Sequence, residues 1–276
     1  MTTEFDIRFA IDPISAAGMG TDELRENFLV DDLFAAGRIR WTYTHYDRMV
    51  VGGAVPQGTP LALETIKPTG TAGFLDRREL IAVNIGAAGT IGVDGTDHAV
   101  GPGDMLYVGM GAGDVQFAGE GARYYLLSAP AHASHPTTLL RQADAKRLDL
   151  GSKETANERS IFQYVNADSV RTCQLVVGLT RFAPGSVWNT MPAHVHDRRM
   201  EAYLYFDLKP DAFVVHLMGE PDESRHLIVR NEQVVLSPPW SIHCGAGTGA
   251  YTFIWAMAGD NVDYADVDKV AMEELR

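Results

Sequence analysis

The sequence predicts an all-β protein built from two tandem halves, and three observations support this prediction. Short segments with a period of two recur along most of the chain, separated by turns that contain Gly, Pro and Asp. The pattern is interrupted across Ala129–Arg159, where Pro136 and scattered charges predict the connection between the halves. The halves also share a local signature, Asp76–Glu79 in the first and Asp197–Glu201 in the second. Regular short strands with few helices indicate a closed or sandwiched β-domain in each half.

The length and composition predict a globular protein with room for two hydrophobic cores. Of the 276 residues, 46% are hydrophobic and 21% are charged, which is ordinary for a globular protein and argues against disorder. We place the division at residue 140, so the predicted domains are 1–140 and 141–276. The formal net charge of -13 argues against nucleic acid and anionic membrane as partners, because both bind basic surfaces. A small anionic ligand is compatible with this net charge, because it needs only a local Arg or Lys.

Three features predict a cytoplasmic protein. No apolar run approaches the roughly 18 residues of a membrane-spanning helix. The first residues, Met1–Arg8, lack the basic flank and apolar core of a signal peptide. Cys173 and Cys244 are the only cysteines, so a disulfide framework is not expected. We interpret Cys244 as a small buried hydrophobe, since on a strand it would face away from a ligand at His243.

The first half begins with a predicted helix, Thr21–Phe34, and continues with strands. Thr21 is a candidate N-cap followed by acids in the first turn, and Gly37 can end the helix. From Ile39 the period changes to two, and Asp94–Gly95 is a strong signal for a tight hairpin turn. The apolar face of the helix is formed by Leu24, Phe28, Leu29 and Leu33. The predicted strands are Ile39–Thr44, Met49–Val51, Leu80–Ile85, Thr90–Val93, Met105–Val108 and Tyr124–Leu127.

The second half repeats this rhythm after the connection. A closing helix is predicted at Val267–Leu275. The predicted strands are Cys173–Leu179, Ala202–Phe206, Ala212–His216, His226–Val229, Gln233–Leu236 and Thr252–Ala256.

Four residues of the second half are candidate metal ligands. His194 and His196 are two residues apart, so on an extended strand both imidazoles project from the same face. Glu201 lies at an odd offset from His196, so a turn through Asp197–Arg199 must return its carboxylate from a second strand. His243 is the best candidate for a fourth ligand. The sequence therefore predicts a site of three His and one Glu.

The arrangement of these residues carries the prediction, because a single His in a strand is usually only a hydrogen-bonded residue. Three imidazole nitrogens and one carboxylate oxygen suit zinc, iron, manganese or nickel, and the donor set alone does not choose between them. The His-x-His pair, a Glu after a short turn and a distant His after a turn with Pro together match the two metal motifs of the cupin superfamily.

Three longer runs narrow this match to a resemblance to one family, the 5-keto-4-deoxyuronate isomerases. The runs are Asn189–Glu201, Ser237–Gly245 and Tyr251–Gly259. The resemblance extends from near the N-terminus to Leu275–Arg276. Shorter matching segments are Asn27–Val30, Asp47–Gly53, Arg77–Leu80 and Cys173–Leu175.

The resemblance implies both a fold and an activity. The fold is a bicupin, two tandem β-barrel or jelly-roll domains with a few short helices, in a homo-oligomer that is a hexamer. The family binds one Zn²⁺ per chain, and its four ligands fall here on His194, His196, Glu201 and His243. The implied activity is that of an aldose–ketose isomerase of pectin and uronate degradation. Its substrate is a small anionic sugar acid, 4-deoxy-L-threo-5-hexosulose uronate (5-dehydro-4-deoxy-D-glucuronate), and its product is 3-deoxy-D-glycero-2,5-hexodiulosonate.

The first half is predicted to hold no metal. Aligning Asp76 with Asp197 places Leu75 and Gly73 where the two histidines of the His-x-His pair would stand. The later segment Tyr107–Gly111 contains no His to complete a site. The metal therefore belongs to the second half only.

Tyr203 and Arg199 are the candidate catalytic residues. Tyr203 and Tyr205 alternate with apolar residues on the metal-facing side of their predicted strand, and the phenol of Tyr203 can donate to a substrate oxygen. Tyr205 is equally well explained as bulk that fills the barrel. Arg198 or Arg199, in the turn between ligands, can bind a carboxylate through two hydrogen bonds. The alternatives for these arginines are solvation at the surface or an ion pair with Asp197.

Two other functions fit the same metal ligands. An iron oxygenase would consume oxygen, and a non-catalytic protein that binds sugar acids would show affinity without turnover. For the isomerase, a proton can move through an enediolate, or a hydride can pass directly between neighbouring carbons. The sequence does not identify the catalytic base.

Overall fold

A computed structural model describes residues 3–276 of the chain, and 45% of the residues lie in strands against 8% in helices. The predicted all-β class is therefore confirmed. The two α-helices are α1 (Pro13–Ala17) and α2 (Thr21–Phe28). Short 3₁₀ helices lie at Lys67–Thr69, Gln142–Asp144 and Met272–Glu274. No helix within the described residues is both long and apolar enough to span a membrane.

The strands up to the middle of the chain are β1 (Thr3–Arg8), β2 (Leu29–Val30), β3 (Arg38–Thr44), β4 (Val50–Val55), β5 (Leu61–Ala62), β6 (Arg78–Asn84), β7 (Gly89–Val93), β8 (Thr96–Val100), β9 (Met105–Val108), β10 (Val115–Ala118), β11 (Tyr124–Pro130) and β12 (Thr138–Leu140). The remaining strands are β13 (Lys146–Leu150), β14 (Arg159–Val165), β15 (Val176–Phe182), β16 (Trp188–Asn189), β17 (His194–Val195), β18 (Arg199–Phe206), β19 (Val214–Glu220), β20 (Glu223–Val229), β21 (Gln233–Ser237), β22 (Cys244–Gly247), β23 (Thr252–Gly259) and β24 (Asp268–Lys269).

Residue contacts divide the chain into two compact units. The first unit contains the segment that ends at Arg8, together with Asp32–Ala145 and Ala167–Leu175. The second unit contains Phe9–Asp31, Lys146–Asn166 and Val176–Arg276. The sequence analysis predicted two continuous domains, 1–140 and 141–276. In the structure, by contrast, Phe9–Asp31 belongs to the second unit and Ala167–Leu175 to the first. Local sequence patterns cannot predict this assignment, because it depends on contacts between residues far apart in the sequence.

The two units repeat one strand order. The first contains a seven-stranded sheet, β1-β3-β4-β11-β6-β9-β12, and a four-stranded sheet, β5-β10-β7-β8. The second contains a seven-stranded sheet, β13-β14-β15-β23-β18-β21-β2, and a four-stranded sheet, β16-β22-β19-β20. The central strands correspond one to one, so that β6 of the first unit takes the place of β18 in the second. Each unit therefore has the paired sheets that the sequence pattern predicts.

The predicted helix Thr21–Phe34 is too long. Helix α2 ends at Phe28, and Leu29 and Val30 form β2, which pairs with β21 in the second unit. The N-cap is Gly20 rather than Thr21, and the backbone N–H of Gly20 donates to the Glu23 carboxylate at 2.9 Å. All four residues of the predicted apolar face are buried. The burial prediction is thus correct, although the last two of these residues lie beyond the helix.

One further prediction is wrong, because the closing helix predicted at Val267–Leu275 is replaced by β24 and a short 3₁₀ helix, and β24 pairs antiparallel with β17. The boundary between the two units lies between Ala145 and Lys146, inside the predicted connection Ala129–Arg159. That connection also contains β12 and β13, which the sequence pattern did not predict. The strands β12 and β24 are very short, and β13 and β24 carry polar residues at exposed positions, so their strand periodicity is weak.

The hairpin predicted at Asp94–Gly95 is confirmed. Both residues have positive φ, 48° and 82°, as a type I′ turn requires, and they join β7 to β8.

Candidate metal centre

Four side chains of the second unit converge on one point. His194 lies on β17, His196 follows that strand directly, and Glu201 is the third residue of β18. His243 immediately precedes β22. One ligand atom from each residue lies within 4.8 Å of all the others, and within residues 3–276 this is the one such group of His, Cys, Asp and Glu. The predicted ligand set is therefore brought together by the fold.

The contacts within this group are short. The Nε2 atom of His196 lies 2.9 Å from Oε2 of Glu201, and Nε2 of His243 lies 3.1 Å from the same oxygen. The Nε2 atoms of His194 and His243 are 2.9 Å apart. Glu201, His196 and His243 are almost entirely buried.

The far ring nitrogens fix which nitrogen carries the proton. Nδ1 of His196 lies 2.8 Å from the carbonyl oxygen of Arg199, and Nδ1 of His243 lies 3.1 Å from that of Ser241. A carbonyl can only accept, so each Nδ1 carries the hydrogen and each Nε2 presents its lone pair. Lone pairs and a carboxylate oxygen that converge in a buried place need a cation between them. The donor set thus fits a bound metal ion.

The electrostatics leave His194 neutral and Glu201 ionised, and these are the protonation states that a metal requires. Burial, reinforced by the electrostatic interaction with His243, lowers the pKa of His194 to about 3, so this imidazole is neutral at neutral pH. Burial alone would raise the pKa of Glu201, but its interactions and hydrogen bonds with His243 and His196 outweigh burial, and the pKa falls below its usual range. Burial opposes protonation of His196, but Glu201 raises the pKa of His196 above its ordinary value. A proton and a metal cation therefore compete for the place beside Glu201.

A cavity of about 490 Å³ opens beside the ligands within the second unit. His194, Glu201 and Tyr203 form part of its wall. The rest of the wall consists of Arg159, Ile161, Thr180, Thr190, Met191, Pro192, Phe253, Trp255, Met257, Tyr264, Ala265, Val267 and Lys269. This volume is sufficient for a small organic molecule that reaches the ligands.

The floor of the cavity is shaped by one glycine. Gly178 of β15 pairs with Trp255 of β23, which in turn pairs with Tyr203 of β18. A Cβ atom at Gly178 would lie 2.0 Å from Cζ2 of Trp255, so only glycine leaves room for the indole. The indole N–H donates to the hydroxyl of Thr180 at 3.1 Å, which fixes the ring in the cavity wall.

Comparison with known proteins places this site in a family. A model described as KduI/IolB family matches residues 29–274. The 4-deoxy-L-threo-5-hexosulose-uronate ketol-isomerase of Cereibacter sphaeroides (strain ATCC 17029 / ATH 2.4.9) is 64% identical over 274 residues, which cover 99% of this chain and 100% of that protein. The chain belongs to the KduI/IolB family.

Two further similarities agree with this membership. The 4-deoxy-L-threo-5-hexosulose-uronate ketol-isomerase 2 of Rhizobium meliloti (strain 1021) is 63% identical over 277 residues, covering 99% of this chain and 98% of that protein. Among solved structures, an iolb-like protein from Salmonella typhimurium LT2 superposes with a TM-score of 0.68 at 17% identity, covering 80% of this chain and 86% of that one. At this identity the superposition supports the fold alone, and the fold is of the cupin type.

In this KduI/IolB family member, Tyr203 lines the cavity as the sequence predicts. Its ring stacks on Phe253 with centroids 5.2 Å apart and lies 5.5 Å from the ring of His243. Its hydroxyl is 3.3 Å from that of Thr190. Burial, and next the charge of Glu201, raise the pKa of Tyr203 well above its ordinary value. Its hydroxyl therefore keeps its proton at neutral pH.

Arg199 does not reach the cavity, which argues against the predicted carboxylate clamp. Its side chain is fully buried and donates to the carbonyl oxygens of Asp263 and Asp266, at 2.6 and 2.7 Å. Arg198 instead forms ion pairs with Asp266 and Asp268, both under 3.0 Å. The two arginines thus hold the segment 263–268 against the turn that carries His196. That segment supplies three residues of the cavity wall, Tyr264, Ala265 and Val267.

Tyr205 points into a buried polar network of the barrel and does not line the cavity. Its hydroxyl lies 2.8 Å from Nδ1 of His216. Asn189 donates to the hydroxyl of Tyr251 at 2.6 Å, and that hydroxyl donates to the carbonyl oxygen of Val187. Barrel filling is therefore the interpretation of Tyr205 that fits its contacts.

Three ionisable cavity residues were missed by the sequence analysis, Arg159, Tyr264 and Lys269. Arg159 stands at the end of the predicted connection, and Lys269 falls in the predicted closing helix. Lys269 lies beside His194 only because β24 pairs with β17, and no local motif predicts that pairing.

Among the residues that the structure describes, the first unit has no counterpart of this group. Leu80 is the third residue of β6, as Glu201 is of β18, and Leu75 stands three residues before β6, as His196 does before β18. Both leucines belong to the hydrophobic core of the first unit. Glu79, which the shared signature matched with Glu201, instead accepts hydrogen bonds from the backbone N–H groups of residues 173–175 and from Tyr107.

Proposed function

We propose that this chain is a metal-dependent ketol-isomerase that converts 4-deoxy-L-threo-5-hexosulose uronate to 3-deoxy-D-glycero-2,5-hexodiulosonate. The observation that carries the proposal is the convergence of His194, His196, Glu201 and His243 at the wall of a cavity. Two relatives that are 63% and 64% identical over nearly the whole chain are named as isomerases of this compound. Neither the oxygenase nor the binding protein has comparable support.

We propose zinc as the metal, with one ion per chain, held by these four residues. Three imidazole nitrogens and one carboxylate oxygen are a donor set that zinc accepts, and the hydrogen bonds of the Nδ1 atoms hold two of the rings in place. A bound zinc ion would act as a Lewis acid toward the carbonyl and the neighbouring hydroxyl of the substrate.

The protein side chains provide the remaining requirements of the reaction. We propose that the hydroxyl of Tyr203, which burial keeps protonated, donates a hydrogen bond or a proton to a substrate oxygen at the reacting end. Phe253, Trp255 and Met257 make the wall beside it apolar. Beside an apolar wall the hydrogen bond from Tyr203 acts in a lower dielectric than in water and is therefore stronger.

The proposed setting is the breakdown of pectin and other uronates in the cytoplasm. Cys173 and Cys244 are both free thiols, which agrees with a reducing compartment.

Elemental analysis combined with an isomerase assay tests the proposal. Protein purified without a chelator should contain about one metal ion per chain and convert 4-deoxy-L-threo-5-hexosulose uronate. Removal of the metal should abolish turnover, and zinc should restore it. The double variant His194→Ala, His243→Ala should lose both the metal and at least about 10³-fold in activity.

His226→Ala is the matched control, because His226 is exposed on β20 and lies outside the ligand group. Its metal content and turnover should equal those of the wild type. Two metal ions per chain, metal retained by the double variant, or oxygen uptake during turnover would contradict the proposal.

A further inference from the structure

The charge of the cavity is opposite to the charge of the protein as a whole. The chain carries a formal net charge of -13, yet the cavity wall contains two cationic side chains, Arg159 and Lys269, and one carboxylate, Glu201. That carboxylate is already engaged by His196 and His243. A cleft whose wall carries a local excess of positive charge attracts an anion. The bound metal ion would add to this excess.

Arg159 faces the cavity with most of its donors unused. It is the first residue of β14, and Ile161, two residues later on the same strand face, lines the cavity as well. Its guanidinium donates to the carbonyl oxygen of Asn157 at 2.9 Å, and within residues 3–276 it has no ion pair with Asp or Glu. Arg159 is half-buried, and burial lowers its pKa. A guanidinium in such surroundings gains most from an anionic partner.

Lys269 also lines the cavity and lies beside one of the candidate ligands. On β24 it stands directly opposite His194 of β17, and side chains directly opposite each other in an antiparallel pair lie on the same face. Its neighbour Asp268 points the other way and forms an ion pair with Arg198. Lys269 itself has no ion pair among the described residues. Its ammonium group is therefore available to a ligand that lies beside His194.

We propose that Arg159 and Lys269 bind the carboxylate of the substrate and thereby make the site specific for a sugar acid. This inference rests on the proposed function and adds the residues that select the substrate. The guanidinium can hold a carboxylate through two parallel hydrogen bonds, and the ammonium adds a mobile point charge. The reacting end of the same molecule is then free to reach the four metal ligands and Tyr203.

A comparison of the substrate with its methyl ester isolates this contact, because the ester keeps the reacting end and removes only the negative charge. We expect the wild type to bind and convert the acid with a kcat/KM about 10- to 100-fold above that of the ester. Arg159→Gln and Lys269→Gln should each raise KM for the acid with little change in kcat. The double variant should treat acid and ester alike, and its kinetics with the ester should match those of the wild type.

Two controls remove the same charges elsewhere in the second unit. Arg181→Gln lies on an exposed position of β15, and Lys146→Gln lies on an exposed position of β13. Both should keep the wild-type preference for the acid. Arg159→Lys should retain part of the preference, which a purely structural role of Arg159 in packing would not predict.

The outcomes separate this inference from the proposed function. Turnover of neither compound by the wild type would refute the isomerase. In that case, calorimetric titration of the zinc-loaded protein with acid and ester still decides which residues recognise the carboxylate. Equal affinity of the wild type for acid and ester would overturn the inference. A double variant that binds the acid as tightly as the wild type does would also overturn it. So would a double variant whose affinity for the ester falls as much as its affinity for the acid.

Discussion

Arg199 contributes to the metal centre through its backbone and to the cavity wall through its side chain. Its carbonyl oxygen accepts from Nδ1 of His196, and its buried guanidinium donates to two carbonyl oxygens of the segment 263–268. The sequence could place Arg199 beside the ligands but not in this role. The four ligands were predictable because each belongs to a local motif, whereas the contacts of Arg199 depend on a loop more than sixty residues later.

Tyr203 and Tyr205 form a natural pair of variants, since they lie on one strand and differ in what their hydroxyls contact. We expect Tyr203→Phe to lower kcat about 100-fold without loss of metal, because it removes a proton donor that lines the cavity. Tyr205→Phe should leave kcat within about twofold and lower the free energy of unfolding by about 1 kcal/mol, since it breaks a buried hydrogen bond to His216. Steady-state kinetics, elemental analysis and urea unfolding measure these effects. Equal activity losses in the two variants would contradict the assignment.

His216 makes the stability of the protein depend on pH. Burial, reinforced by the electrostatic interaction with His243, lowers its pKa to about 3, while in the unfolded chain the value is about 6.5. The unfolded state therefore takes up a proton as the pH falls through 6.5, and the folded state does not. The stability due to neutral His216 is complete above about pH 6.5 and is lost progressively between about pH 6.5 and pH 3.

The pH effect can be measured by urea unfolding of the metal-free protein at about pH 7.5 and about pH 5. We expect His216→Gln to lose about 2 kcal/mol less than the wild type between these conditions, which is the linkage contribution of one such group. Parallel losses in both proteins would show that other groups cause the pH dependence.

At the scale of elements, the pairing of β17 with β24 decides which side chains meet at the site. The segment Val267–Leu275 has the composition of a short helix, and the sequence analysis assigned it so. Pairing with β17 overrides this local preference, because His194 and Val195 of β17 form an antiparallel ladder with Lys269 and Asp268 of β24. Short edge strands of this kind have no periodicity long enough to read. The longer central strands, such as β9 and β18, were predicted to within a few residues.

Gly178 determines how closely β15 and β23 pack, and its substitution should strongly reduce stability. Gly178→Val places carbon atoms where the indole of Trp255 lies, so β15 and β23 cannot keep their spacing and the indole must leave the cavity floor. We expect the free energy of unfolding to fall by about 3 kcal/mol and turnover to fall with it. Gly249→Ala is the control, because a Cβ atom there meets nothing within 4 Å. Urea unfolding of both variants tests the prediction, and wild-type stability of Gly178→Val would contradict it.

At the scale of the whole molecule, two units share one strand order while only the second gathers metal ligands among the described residues. From Gly73 and Leu75 the sequence analysis predicted that the first half holds no metal, and this remains a prediction. The sequence analysis also matched Glu79 with Glu201. In the structure Glu79 is one residue out of register with Glu201 and accepts hydrogen bonds from the backbone N–H groups of residues 173–175. A one-residue shift moves a strand side chain to the opposite face, so a short signature cannot decide it.

The predicted homohexamer remains a prediction for the whole molecule. The exposed apolar residues Phe5, Ile7 and Phe9, at the N-terminal end of the described chain, offer surface that an assembly could bury. Light scattering at micromolar concentration should report a mass near six times the 30.1 kDa of one chain. A particle with the mass of a single chain would contradict the prediction.

The segment Phe9–Asp31 belongs to the second unit, although it precedes most of the first unit in the sequence. This order affects how the chain folds during synthesis. Residues of β2 leave the ribosome early, but their partner strand β21 is synthesised about 200 residues later. The early segment must wait, with Leu24, Phe28 and Leu29 unburied, until most of the chain exists. His243 emerges later still. The four candidate ligands are therefore all present only when most of the chain has been synthesised, so a metal ion that needs all four can be bound only late in synthesis.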